Sequence, residues 1–350
     1  MDVIGRALAT GLCVATAVVC TASPAGADPV PVWDFRTLAA VGSDTTQYMM
    51  DGVAKVAPDA AGLASWNAQP AVGSTVTIRT KPSGCEFPRP FGHIEGRLAL
   101  SASEPGGAFP GCVDVLRSGI PPVTTPGNTY TKIIAGVDGL ALAKHSDSDL
   151  PDNITFPQAQ RIYRCFEDSI AGVSVVPLVV HPRSDVWQSW MQRMGITTGE
   201  LLNFDYPCLY DNNQYVRPPA PPNDGAALTD LAYVMPYSVA NFIAQSRSAT
   251  IESLTGVTVP DLRGPVYLTG LNSFQQPYNR TTLALNLNYP LTHEVSNTIR
   301  TDRLGTGELA ALVAGCYTEI SDGAVTYRLA ELFGFGVTST CGTSRTSGIP

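Results

Sequence analysis

The chain has 350 residues and a formal charge of −8, from 22 Lys and Arg against 30 Asp and Glu. That acidic balance excludes nucleic-acid binding through the net field, but not the capture of a small anion over a few ångströms. Only 15% of residues are charged while 32 are Gly and 28 are Pro, the composition of a loop-rich α/β protein rather than a helical bundle.

Residues 7–20 are small and apolar, too short to span a bilayer, and lead to Ala25-Gly26-Ala27, a small-x-small cleavage signature. We read residues 1–27 as a secretory signal peptide and the protein as secreted or cell-surface associated. Val18-Val19 is a poor approach to a lipidated Cys20, and no later run is apolar enough to cross a membrane. Residues 28–36 read as an extended tail, followed by a strand at 38–42.

A helix follows over 44–56, with Met49, Val53 and Val56 on one face. The turn between strand and helix, Gly42-Ser43-Asp44-Thr45, presents free amides and the positive end of the helix dipole. Ser43 and Thr45 add hydroxyls suited to an oxyanion, while Asp44 with Gln47 also resembles a capping box. Strands are expected at Thr75–Arg79 and Arg97–Ser103, joined by loops holding Ser83 and then Ser103-Glu104. The strand–helix–strand rhythm implies parallel pairing by crossover.

Residues 133–143 form a long apolar strand interrupted by Gly136 and Gly139, suited to crossing between lobes. A helix is expected at 157–168, with Ala159, Ile162, Tyr163 and Phe166 on one face. Strand 174–181 leads through His181-Pro182-Arg183-Ser184-Asp185 to a helix with Trp187, Trp190, Met191 and Met194 at core spacing. Arg183 is the cation positioned to grip two oxygens, and Ser184 suits the helix cap. The proline-rich loop Val216 to Asp224 precedes a second crossing strand near 231–236. Helix 238–245, strand 265–269 and helices near 294–300, 307–315 and 325–333 complete the reading.

Cys85, Cys112, Cys165, Cys208, Cys316 and Cys341 remain once the leader is set aside, and none forms a C-x-x-C pair. Six cysteines allow 15 connectivities, but their clustering along the chain favours 85–112, 165–208 and 316–341.

The order Gly42-Ser43-Asp44-Thr45, Ser103-Glu104, Arg183-Ser184 resembles the phosphate-type solute-binding proteins of ABC importers, in particular a secreted actinobacterial branch. Asn223-Asp224-Gly225 and Tyr289-Pro290-Leu291 add to the likeness, although Asp185-Val186-Trp187 replaces the family's Gly-Thr. The resemblance implies an α/β, two-lobe type 2 periplasmic-binding-protein-like fold with two crossing strands. Its lobes would be 28–134 with 233–350, and 135–232. It further implies a cleft ligand, phosphate or a related small oxyanion, held by Ser43, Asp44, Thr45, Ser103, Glu104, Arg183 and Ser184, with the loop of Ser83 placed to close over it. A partner ABC permease, a monomeric state and no cofactor or metal follow from the same likeness.

The alternatives are a surface or adhesion module of the same fold that has lost phosphate binding, and a secreted hydrolase. The four histidines fall in no His-Glu-x-x-His, and no Gly-x-Ser-x-Gly elbow or Walker loop occurs, so an enzyme is not expected.

Overall fold

The computed structural model describes residues 28–29, 35–69, 76–209, 219–272 and 275–350. The expected leader, residues 30–34 of the tail and residues 216–218 of the proline-rich loop lie outside these. The elements that build the site are strands β1 (Leu38–Gly42), β2 (Leu63–Ser65), β3 (Thr77–Arg79), β4 (Glu86–Pro88), β5 (Val115–Ser118) and β6 (Tyr130–His145). With them go helices α1 (Gln47–Val56), α2 (Gly92–Ala102), α3 (Phe156–Tyr163) and α4 (Asp185–Met194).

β1 is buried throughout and pairs in parallel with β2 on one side and β5 on the other. Parallel neighbours need crossovers, and α1 and α2 supply them. The main sheet runs Val176–Pro177, Tyr233–Ser238, β6, Thr292–Arg300, β5, β1, β2, with Val266–Leu268 and Ser344–Ser347 also paired to β6. β6 covers the long apolar strand expected at 133–143, and Tyr233–Ser238 runs antiparallel to it from Ser238↔Leu140 to Val234↔Lys144.

Three apolar cores lie on this frame. One contains Trp187, Trp190, Tyr163 and Leu140–Ala143. A second holds Met49, Met50, Ile133 and Phe333, and a third Val41, Leu116, Phe87 and Tyr130. The tryptophan stripe of α4 is therefore core, as its spacing implies. The cysteines are bonded 85–112, 165–208 and 316–341.

Several elements differ from expectation. Arg97–Ser103 is not a strand: it belongs to α2, whose buried positions Gly92, Gly96, Ala99 and Leu100 follow a helical period. Residues 294–300 are not a helix but part of strand Thr292–Arg300, held between β5 and β6. Its β-branched Val295, Thr298 and Ile299 suit a pleated, doubly covered position. The expected helix at 325–333 divides into strand Thr326–Arg328 and a single turn, Leu329–Leu332. α3 stops at Tyr163, leaving Phe166 exposed rather than on the buried face. Within 174–181, only Val176–Pro177 pairs into the main sheet.

Candidate functional site

β1 ends at Gly42, and the Ser43 amide donates to the Arg117 carbonyl at the end of β5 (3.0 Å). Ser43 Oγ then accepts the amides of Thr45 and Thr46, each at 3.1 Å, and so closes the turn into α1. Asp44 plays no part in capping α1, and Gln47 Oε1 instead accepts the Ala68 amide (2.9 Å). The capping-box expectation fails here because Ser43 already satisfies the amides that Asp44 would serve.

Asp44 reaches across to the start of α4. Its Oδ2 accepts from Ser184 Oγ (2.8 Å) and its Oδ1 from the Asp185 amide (3.0 Å). Ser184 in turn caps α4 by accepting the Val186 amide (3.2 Å). A carboxylate at this place satisfies orphan amides and sits on the favourable end of the helix dipole.

Asp185 reaches the opposite way. Its Oδ1 accepts the His93 amide at 2.6 Å, from the first turn of α2, and its Oδ2 accepts the Gly119 amide at 2.7 Å, just after β5. Ser43 donates a further side-chain hydrogen bond to it. Asp185 is fully buried. The two aspartates thus reach in opposite directions, Asp44 to the amide and hydroxyl at the start of α4 and Asp185 to the amides beside α2 and β5.

Glycines make this approach possible. Gly92 has φ +74°, and a Cβ there would collide with the Arg183 carbonyl. A Cβ on Gly119 would lie 2.8 Å from Ser43 Oγ and 2.9 Å from Asp185 Oδ2.

Burial, and then the neighbouring Asp44 carboxylate, push Asp185 up to about 7. Burial likewise raises Asp44, against the lowering effect of the Asp185 amide and Ser184. Beneath them Arg117 is fully buried, donating to Ser65 Oγ (2.7 Å) and the Trp66 carbonyl (2.5 Å). Burial lowers its guanidinium to about 10, while Asp51 opposes that shift. On the far side of the turn, His293 Nε2 lies 2.8 Å from the Gly119 carbonyl, which can only accept, so Nε2 carries the proton.

Of the expected site residues, Ser43, Asp44, Thr45 and Ser184 converge here. Thr45 Oγ1 is buried and has no partner among the described residues. The other four do not converge. Arg183 lies outside the cradle with its side chain 53% exposed, paired with Glu95 of α2. It also lies over the Phe91 ring and lines an open, largely apolar cavity of about 600 Å³ with Phe87, Leu98 and Phe109.

Ser103 and Glu104 sit at the opposite end of the sheet. Ser103 Oγ accepts the Val113 amide ahead of β5 and donates to the Ala99 carbonyl, because α2 runs antiparallel to β5. Ser83 is exposed at the tip of the β3–β4 hairpin. Its neighbour Lys81 ties that tip to Asp114 and the Thr37 carbonyl, again at the N-terminal ends of β5 and β1. The donors that sequence reasoning missed are the His93 and Gly119 amides. A signal for the first exists: Glu95 Oε2 accepts the Phe91 amide (2.8 Å), marking a helix start just after Pro90.

Neither a family model nor a curated protein matches this sequence. Among solved structures, an ABC-type phosphate transport receptor from Vibrio cholerae matches at 14% identity and a TM-score of 0.51, over 86% of this chain and all of that one. A phosphate-binding protein from Stenotrophomonas maltophilia matches at 10% identity and a TM-score of 0.44, over 87% and 91% of the two chains. An OxyR variant from Corynebacterium glutamicum matches at 7% identity and a TM-score of 0.40, over 81% and 65%. The fold is the α/β fold of type 2 periplasmic-binding proteins.

Proposed function

We propose that this chain is a secreted, non-catalytic protein of solute-binding architecture whose interlobe cleft is filled from within, so that it does not take up free phosphate. The lobes of this reading change over near residues 135 and 233. The observation that carries it is the Asp185 carboxylate on the His93 and Gly119 amides, where loops from both sides meet. A phosphate ion entering there has to displace Asp185 and then lie against Asp44. Like charges in a desolvated site repel strongly. The cavity left beside Asp44 and Asn241 holds only about 20 Å³, room for one water.

This favours the surface or adhesion module over capture for ABC-type uptake. Three disulfides and a leader-like start support action outside the cytoplasm. The uptake reading keeps one feature in its favour, the buried Thr45 hydroxyl, which has no partner among the described residues.

A thermal-shift series on the wild-type protein with phosphate, sulfate and phosphonates separates the two. The expected outcome is no saturable rise in melting temperature. A ligand bound in the cleft adds about 2.7 kcal/mol at a hundredfold excess over its dissociation constant, and such a rise with phosphate restores the uptake reading.

A further inference from the structure

We propose that the pocket formed by the His93 and Gly119 amides is a receptor for one planar carboxylate, occupied in this chain by its own Asp185 and open to a free monocarboxylate once that side chain is removed. The inference rests on the reading that the cleft is filled from within, and adds to it the class of group the pocket takes.

The donor geometry is the first argument. Each carboxylate oxygen has its own amide, at 2.6 and 2.7 Å, from two different elements. Ser43 adds a hydroxyl. Paired donors, one to each oxygen, recognise a flat bidentate group. The walls are the second argument. A Cβ on Gly119 would stand 2.9 Å from Oδ2, and one on Gly92 would stand 3.2 Å from Oδ1. The pocket therefore closes on two oxygens and leaves no space for the third and fourth of a tetrahedral ion.

Charge is the third argument. Asp44 lies alongside, fixed by Ser184 and the α4 amide, and bars a second negative charge. The cation facing the pair is Arg117 of β5, whose strongest carboxylate neighbour is Asp51. His93 and His293 border the pocket; burial lowers His93 to about 4, so it carries no positive charge at neutral pH, and burial lowers His293 too, against the opposing pull of Asp138. Asp138, facing His293, is tied up by Ser238 and the Ala240 amide. At most one negative charge, spread over two oxygens, is what this set accepts.

The test is chemical rescue of Asp185→Ala, read by thermal melts in formate, acetate, phosphate and sulfate at matched ionic strength. Asp185→Ala is expected to melt below wild type and to recover saturably in formate, with acetate weaker. Phosphate and sulfate should give no saturable recovery, and formate should leave wild type unchanged. Asp185→Asn keeps the side-chain volume, so formate is expected to do nothing there. Should Asp185→Ala not fold, Asp185→Ser is read in the same way.

No saturable formate effect in a folded variant overturns the proposal. So does an equal effect in wild type or Asp185→Asn, a larger effect of phosphate than of formate, or failure of both small variants to fold in formate. A phosphate-dependent rise in wild type instead defeats the reading of the cleft as self-filled, whatever Asp185→Ala does in formate.

Discussion

At the scale of single residues, two arginines divide the roles that the sequence assigned to one. Arg117 is buried under the cradle, bonded to Ser65 and the Trp66 carbonyl and facing Asp51, whose carboxyl burial pushes up to about 7. Arg183 pairs with Glu95 at the surface, where solvent screens the pair. Arg183→Ala should therefore change stability by less than about 1 kcal/mol. Arg117→Met should cost about 3–5 kcal/mol, because it strips a buried carboxylate of its compensation. Urea unfolding of both variants checks this, and equal losses would contradict the assignment. Nothing in the sequence around Arg117, Val-Leu-Arg-Ser-Gly, marks it as buried. Its depth follows from β5 lying between β1 and Thr292–Arg300, a long-range pairing that no local pattern announces.

At the scale of elements, the legible parts were those with a single clean period. β1 and β6 carry long apolar runs, the second broken only briefly by Gly136, Asp138 and Gly139, α4 carries a helical stripe, and each lies where the pattern puts it. α2 was misread because Leu98-Ala99-Leu100 mimics a strand core when the small buried residues Gly92 and Gly96 are not counted as part of its face. It is therefore Phe91-Gly92-His93, at the start of α2, that meets Asp185, while Ser103-Glu104 lies at the other end of the helix. The start of α2 is also where the fold is least forgiving. Gly92→Ala meets both a positive φ and the Arg183 carbonyl, whereas Gly106→Ala has a comparable φ of +84° and open space. The control should lose about 1 kcal/mol from backbone strain, and Gly92→Ala about 2 kcal/mol more. Equal losses in denaturant titrations would mean that α2 does not seat against the α4 loop.

At the scale of the whole molecule, the α/β rhythm and the order of loops were enough to indicate the fold, since both depend on alternation along the chain. The meeting of Asp44 and Asp185 was not legible, because the two lie 141 residues apart and come together only after folding. Their burial has a pH signature. Asp185, raised to about 7, adds stability that is complete below its unfolded value of about 4 and is lost as pH rises through 7. His93, lowered to about 4, acts oppositely, its neutral form losing stability as pH falls below about 6.5. Comparing wild type with Asp185→Asn cancels the histidine contribution. The advantage of wild type over the variant is expected to shrink steadily between about pH 4 and pH 8. Parallel melts across that range check it, and a constant difference would place the proton elsewhere.

β6 contributes Tyr130 to one core, Ile133 and Ala135 to another, and Leu140 to Ala143 to the third. A beam shared in this way leaves no seam along which the protein comes apart into self-sufficient pieces. A fragment that kept the strand would carry bare hydrogen-bonding edges and adhere to its own copies, and one that lost it would lack part of its interior. The three cores are made and unmade together.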